Sequence, residues 1–474
     1  MNRRDLPIHA RWRSAFVLAL FASVSATAVH AADAIPADAD NSTVGEIIVT
    51  ATKRSENLQD VPISIQALTP LLLDQHQVES FDDYAKLLPS VSFQSFGPGQ
   101  SQLFFRGISS GGDGLHGGSQ PATSTYIDET PLTTIANGVD LHIYDVQRVE
   151  ALSGPQGTLY GASSLSGTLR VITNQPNPAG FSAGFDAEAN KFSAGTGGGT
   201  LEGYVNIPLG PKAAIRLVAF DEEDGGYIDN VPNTRIFDVN DGTGNILQVP
   251  FSNTALVRKD FNTVDTHGGR AALKLELTDN WTITPMVIVQ DQKAKGDFLY
   301  DPRLGHLRVS DFQPSLNVDK WYDAALTIQG KIADWDVLYS GSYFSRKVDN
   351  HADYSYYSVY YNSVGATSVV SFPDGHGGFL DPDQIFIGHD DYLKNSHELR
   401  ISSPVDKRFR IMGGVFTQWQ SDNVFANYVV PGALGSGTGV TVPGFGDDLF
   451  YTHILRVDRD SAIFTISTST SCRT

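Results

Sequence analysis

The sequence predicts a two-part chain: a small α+β domain, then antiparallel strands of the kind that closes as a transmembrane β-barrel. Three observations carry this. After Asn177, apolar and polar residues alternate with period two in segment after segment. The links between those segments alternate strictly in length. They are short at Pro208–Lys212, Thr278–Asn280, Ala333–Asp334 and Ser403–Lys407, and long at Asp221–Thr263, Asp291–Lys320, Lys347–Leu393 and Ser421–Leu449. Outer-membrane barrels have short turns at one end and long loops at the other. Finally, an export-type start is followed by no apolar helix, and a chain without spanning helices crosses lipid only as a closed barrel.

The 474 residues leave room for more than one domain. A net charge of −19 argues against a nucleic-acid partner. Cys472 is the single cysteine, which excludes an internal disulfide. Arg3, Arg4, Arg11 and Arg13 precede the apolar run Ala15–Val29, and Val29-His30-Ala31 offers small residues for cleavage, so residues 1–31 read as a secretory signal. The run is shorter than the about 20 residues of a spanning helix. Losing this leader takes the net charge from −19 to −22. Residues 32–57 are a linker, acidic and disorder-prone up to Val44, with a short β-prone run in Gly45–Arg54.

Residues 58–177 alternate short strands and helices. Leu58–Leu68 alternates Val61, Ile63 and Ile65, which predicts a half-buried strand. Helices are predicted over Thr69–Gln77 and, behind a Ser80 cap, over Ser80–Leu88 before Pro89. Strands follow at Leu103–Gly107, Tyr126–Asp128, Val146–Leu152 and Leu169–Asn174, with a glycine-rich loop at Ser109–Ser119. Residues 178–474 carry the amphipathic strands. Phe181, Ala183, Phe185, Ala187 and Ala189 alternate with polar residues, and His267–Leu277, Trp281–Val289, Tyr322–Ile332, Trp335–Tyr343 and Phe409–Trp419 behave alike. Several begin or end on Trp, Tyr or Phe, as at a membrane interface.

The chain is organised around Asp145–Gly161, DVQRVEALSGPQGTLYG. The stretch resembles the central signature of the plug domain of TonB-dependent outer-membrane receptors, matching it at Glu150, Gly154, Pro155, Gly157, Tyr160 and Gly161 and departing at Ala151 and Ser153, where the family has arginine in the second case. PISI, LLPSV, FFRGI and YIDETPL match the plug in order, so the resemblance spans about 130 residues.

The resemblance implies TonB-energised import of a scarce nutrient through the outer membrane of a Gram-negative bacterium: an iron–siderophore complex, a cobalamin-like compound or an oligosaccharide. The ligand would bring its own iron. Glu46, Ile47, Ile48, Val49 and Thr50 resemble the TonB box, which TonB grips by strand pairing. Arg106 in the RG motif and Glu398 in HELR match members of the family's plug–barrel lock, and Ser153 implies that half of it is missing. Glu398 and Arg400 share one strand face, predicted to be luminal. Ligand contacts are expected from Asp113 and His116 on the glycine-rich loop, and from Tyr354, Tyr356 and Tyr357 in a tyrosine-rich outer loop. No cofactor, metal site or catalytic arrangement is predicted, and the chain reads as a receptor and not an enzyme.

About nine to ten strands are countable, against twenty-two in family barrels. Asp458–Phe464 approaches a further strand, but ISTSTSCRT then reads as a polar tract ending on Thr474. The expectation is a truncated or frameshifted barrel. The alternative function is therefore a transport-incompetent remnant in which only the plug folds.

Overall fold

The computed structural model describes residues 47–61, 63–78, 80–108, 120–135 and 138–469. The expected leader, Glu46, the loop bearing Asp113 and His116, and Cys472 lie outside the described residues.

The first domain opens with a two-residue ladder, β1 (Ile48–Val49) against β2 (Glu56–Asn57). β3 (Ser64–Leu68) is shorter than its apolar alternation, because Leu58–Asp60 winds into a 3-10 turn whose Gln59 amide donates to Asn57 Oδ1 at 2.9 Å. α1 (Pro70–Gln75) starts at Thr69 with proline in its first turn, where a missing N–H costs nothing. α2 (Phe81–Lys86) is held by a Ser80–Asp83 capping box, the Ser80 amide donating to the carboxylate at 3.2 Å. β4 (Val91–Ser95) and β5 (Ser101–Phe105) form a separate hairpin. β6 (Thr123–Ile127), β7 (Thr130–Pro131), β8 (Val146–Ser153), the short helix α3 (Gly157–Tyr160) and β9 (Gly167–Thr173) complete the domain. Its central sheet runs β3-β8-β9-β6-β7, with β6 parallel to β9.

The second part is a ten-stranded sheet in which each strand pairs antiparallel with the next. Its strands are β10 (Ser182–Lys191), β11 (Gly197–Gly210), β12 (Ala213–Asp224), β16 (Val264–Thr278), β17 (Trp281–Lys295), β19 (Leu316–Ile332), β20 (Trp335–Asp353), β21 (Ile385–Ser402), β22 (Phe409–Val429) and β23 (Asp448–Ser469). The long connections carry β13 (Asp229–Asn230), the hairpin β14 (Thr234–Asn240) and β15 (Ile246–Ser252), β18 (Arg308–Val309), and a helix, α4 (Ser355–Ser363). β10 and β23 each pair on one side only, so the sheet is not closed.

Two expectations are corrected. The strands are longer than the alternation marked: β20 reaches Asp353, ten residues past Tyr343. Around Arg346, Lys347, Asp349 and Asn350 both faces are polar, so the pattern fades while the backbone ladder continues through Asn317↔Asn350. The ISTS stretch is strand as well. β23 runs to Ser469 in register with β22, Met412 facing Ile466 and Phe409 facing Ser469. Ile466 packs beside Met412, Leu159 and Tyr160, so a stretch that looks polar contributes an inward apolar contact.

The core of the first domain is continuous with the inner wall of the sheet. Leu132, Ile135 and Leu141 belong to one cluster with Met286, Ile288, Trp321 and Phe344. Burial of these side chains stabilises the seat by about 1.5–3 kcal/mol for each large apolar group. No helix among the described residues is long and apolar enough to cross a membrane, which says nothing of a β-barrel.

Candidate functional site

The signature residues converge on the segment that follows β1. Glu150, fully buried in β8, accepts from Arg148 Nε at 2.7 Å, from Arg170 Nη1 at 2.8 Å and from the Thr50 amide at 2.9 Å. Arg170 Nη1 also donates to Thr50 Oγ1 at 2.8 Å. The Tyr160 hydroxyl donates to the Ala51 carbonyl at 2.8 Å, and the Tyr126 hydroxyl to the Tyr160 carbonyl at 2.9 Å. Gly154 and Gly161 sit at φ 95 and 65, the left-handed region that favours glycine, and make the two turns that place Tyr160 there.

Lys53 extends this cluster to the wall. Its ammonium, with a fully buried side chain, lies 3.3 Å from Glu129 and 3.4 Å from Glu398, and 4.8 Å from the centre of the Tyr160 ring. Arg400 donates to Glu129 at 2.7 Å and to Glu398 at 2.8 Å. Four cations therefore meet three carboxylates across the junction. Burial works to raise the Glu129 carboxyl, but the Arg400 and Lys53 charges outweigh it and hold the group below its ordinary range.

Glu398 is luminal and engaged, but not by Arg106. Arg106 is exposed in a left-handed turn at φ 51 after β5, and the Glu398 oxygens are taken by Lys53 and Arg400. Ser153 does not leave a half-empty lock either. It is buried at the end of β8, its hydroxyl without a hydrogen-bond partner among the described residues, while Arg148 and Arg170 supply the cations. Lys53, Glu129, Arg170 and Arg400 were missed from sequence. The available signal was a charge inside an otherwise apolar strand, as in GTLRVIT.

Three further contacts seat the domain against the sheet. Asp145 accepts from Arg216 at 2.7 Å and from Arg270 at 2.6 Å. Arg346 joins Asp319 at 2.7 Å and donates to Thr134 Oγ1 at 2.8 Å. His142 places Nε2 2.7 Å from Glu202 and Nδ1 3.1 Å from Glu222, its ring stacked 4.2 Å from Phe220. Burial alone would lower this imidazole; the two carboxylates outweigh it and push it up to about 9.

At the opposite, long-loop end, a cavity of about 230 Å³ opens between the tip of the β4–β5 hairpin and the ends of β17, β19 and β20. Beside it, α4 displays tyrosines. Tyr354 packs 4.8 Å from Tyr428 and 5.1 Å from Tyr357, while Tyr356 lies 5.0 Å from the Arg235 guanidinium and is largely exposed. Among the described residues no group of His, Cys, Asp and Glu is arranged to hold a metal ion.

Residues 57–168 match the family model described as the TonB-dependent Receptor Plug Domain. The chain is 32% identical over 142 residues to the pesticin receptor of Yersinia pestis, covering 29% of this chain and 20% of that one. It is 27% identical over 250 residues to the catecholate siderophore receptor Fiu of Escherichia coli (strain K12), covering 49% and 30%. Its fold resembles the ferric yersiniabactin uptake receptor FyuA from Yersinia pestis with a TM-score of 0.61 at 16% identity, covering 85% of this chain and 61% of that one. The plug match and the plug-plus-sheet architecture place the chain in the TonB-dependent receptor family. The chain spans a fifth to a third of the length of these two curated relatives.

Proposed function

We propose that the chain is the plug-bearing part of a Gram-negative outer-membrane receptor that imports a scarce nutrient, with TonB supplying the energy through Glu46–Thr50. The nutrient would be an iron–siderophore complex, a cobalamin-like compound or an oligosaccharide. In this scheme residues 1–31 are the leader, 32–57 the linker with the TonB box, 58–177 the plug and 178–474 barrel.

The observation that carries the proposal is the wiring of the box into the seat. Thr50 binds Glu150 and Arg170, and Lys53 binds Glu129 and Glu398. A pull on Ile48–Val49 first withdraws Thr50, then Lys53. Each withdrawal strips a partner from a buried charge, a loss of about 3–5 kcal/mol for a pair broken on one side. Force applied at the box therefore loosens the charges that join plug to wall. Ile48, partly exposed at the start of the ladder, is the accessible grip.

The test is binding of the purified chain to the C-terminal domain of TonB. The native chain should bind and Ile48→Pro should not, because proline cannot donate to an added strand. Equal binding by both, or none by the native chain, would reject the proposal. A second function is favoured by the open edges of β10 and β23. Unpaired backbone edges are not tolerated in lipid, so without further strands this chain is a transport-incompetent remnant.

A further inference from the structure

The cavity at the long-loop end differs in chemistry from the seat. Its walls are aromatic: Phe96 from the plug hairpin, and Phe298 and Tyr354 from the outer loops. The plug tip is closely fitted to its wall, since a Cβ on Gly97 would stand 2.9 Å from the Phe298 ring. Asp297 and Asp353 line the cavity, and neither lysine nor arginine does. The Asp353 carboxylate is already occupied by the amides of Phe312, Gln313 and Ser355. Asn350 is 9% exposed, and its Oδ1 has no hydrogen-bond partner among the described residues. The unused capacity is thus an acceptor seeking a donor.

We propose that this cavity is a ligand subsite that takes a flat apolar group bearing N–H or O–H donors, from a ligand without net negative charge. The inference rests on the receptor function proposed above and narrows its cargo. An anionic group here would face two carboxylates with no counter-cation, in a partly dry site where such repulsion is weakly screened. The surrounding loops add to this field. Lys347–Leu393 holds seven aspartates and one lysine, and Ser421–Leu449 holds three aspartates and no cation. The 291–320 connection, with five acids and five bases, does not offset them. A ferric tris-catecholate carries a charge of about −3 and is disfavoured, whereas a neutral ferric trihydroxamate, a cobalamin or a sugar is admitted on charge grounds.

The experiment is a titration of the full purified chain in detergent, read by tryptophan fluorescence. The uncharged probes are ferrichrome, cyanocobalamin and maltohexaose; the anionic probe is ferric enterobactin. We expect at least one uncharged probe to bind tenfold or more tighter than the anion, and Phe96→Ala, on a half-exposed hairpin tip, to weaken it about tenfold. Asn350→Lys, which adds a cation to the wall, should narrow the gap between probes. Equal or tighter binding of the anion overturns the charge inference and leaves the receptor standing. Unchanged binding by Phe96→Ala overturns the cavity as the site. Failure of every probe to bind a folded chain overturns the receptor function and this inference with it.

Discussion

The two ends of the plug use carboxylates in opposite ways. At the box end, Glu129, Glu150 and Glu398 are each met by lysine or arginine, and tyrosines close over them. At the loop end, Asp353 is held by backbone amides, no cation lines the cavity, and aromatic rings stand open. Charges that are fully paired fix a position; acids left without counter-ions set a potential that a ligand feels. The difference assigns anchoring to one end and admission to the other, within a single small domain.

Removing Glu150 tests the anchor most severely. Glu150→Ala leaves Arg148 and Arg170 buried without their shared partner and should destabilise the plug by about 3–5 kcal/mol, read as a lower melting temperature. A melting point within a degree of the native value would show that the seat is held elsewhere. His142 gives the next effect. Its folded-state value, raised to about 9 by Glu202 and Glu222 against burial, lies above the ordinary histidine value of about 6.5. The native state keeps a proton that the unfolded chain releases, so this stabilisation is complete below about pH 6.5 and is lost as pH rises through 9, at most about 3 kcal/mol. Melting followed from pH 6 to 10 should fall accordingly, and His142→Gln should flatten that slope.

Smaller effects separate the wiring from the seat. Lys53→Met should cost about 1–3 kcal/mol, because Arg400 still serves Glu129 and Glu398. Its sharper signature is local: amide exchange at Val49 and Thr50 should accelerate while β8 stays protected. Glu398→Ala should cost about 1–2 kcal/mol and loosen plug amides, since Lys53 and Arg400 retain Glu129. Tyr356→Ala, on the exposed face of α4, should move stability by less than about 0.5 kcal/mol.

Much of this was legible in the chain. Thr69 and Ser80 before apolar helical spacing announced α1 and α2, and GPQGTLYG announced a turn that only glycines could make. Alternating link lengths announced the sheet order. Harder to see was where strands end above the apolar band, because once both faces are polar the side chains stop reporting backbone pairing. Ile466 was hidden in the same way, a lone apolar residue among serines and threonines.

The sequence by itself determined local geometry and the division into plug and strands, since propensity, capping and period two act between near neighbours. Which charges meet was decided only by tertiary structure. Lys53 and Glu398 are 345 residues apart, and Arg106 fitted Glu398 equally well on paper. Coulomb attraction reads distance and burial, not spacing along the chain. The fold brings Lys53 inward and leaves Arg106 exposed in its left-handed turn, and that placement selected the partner.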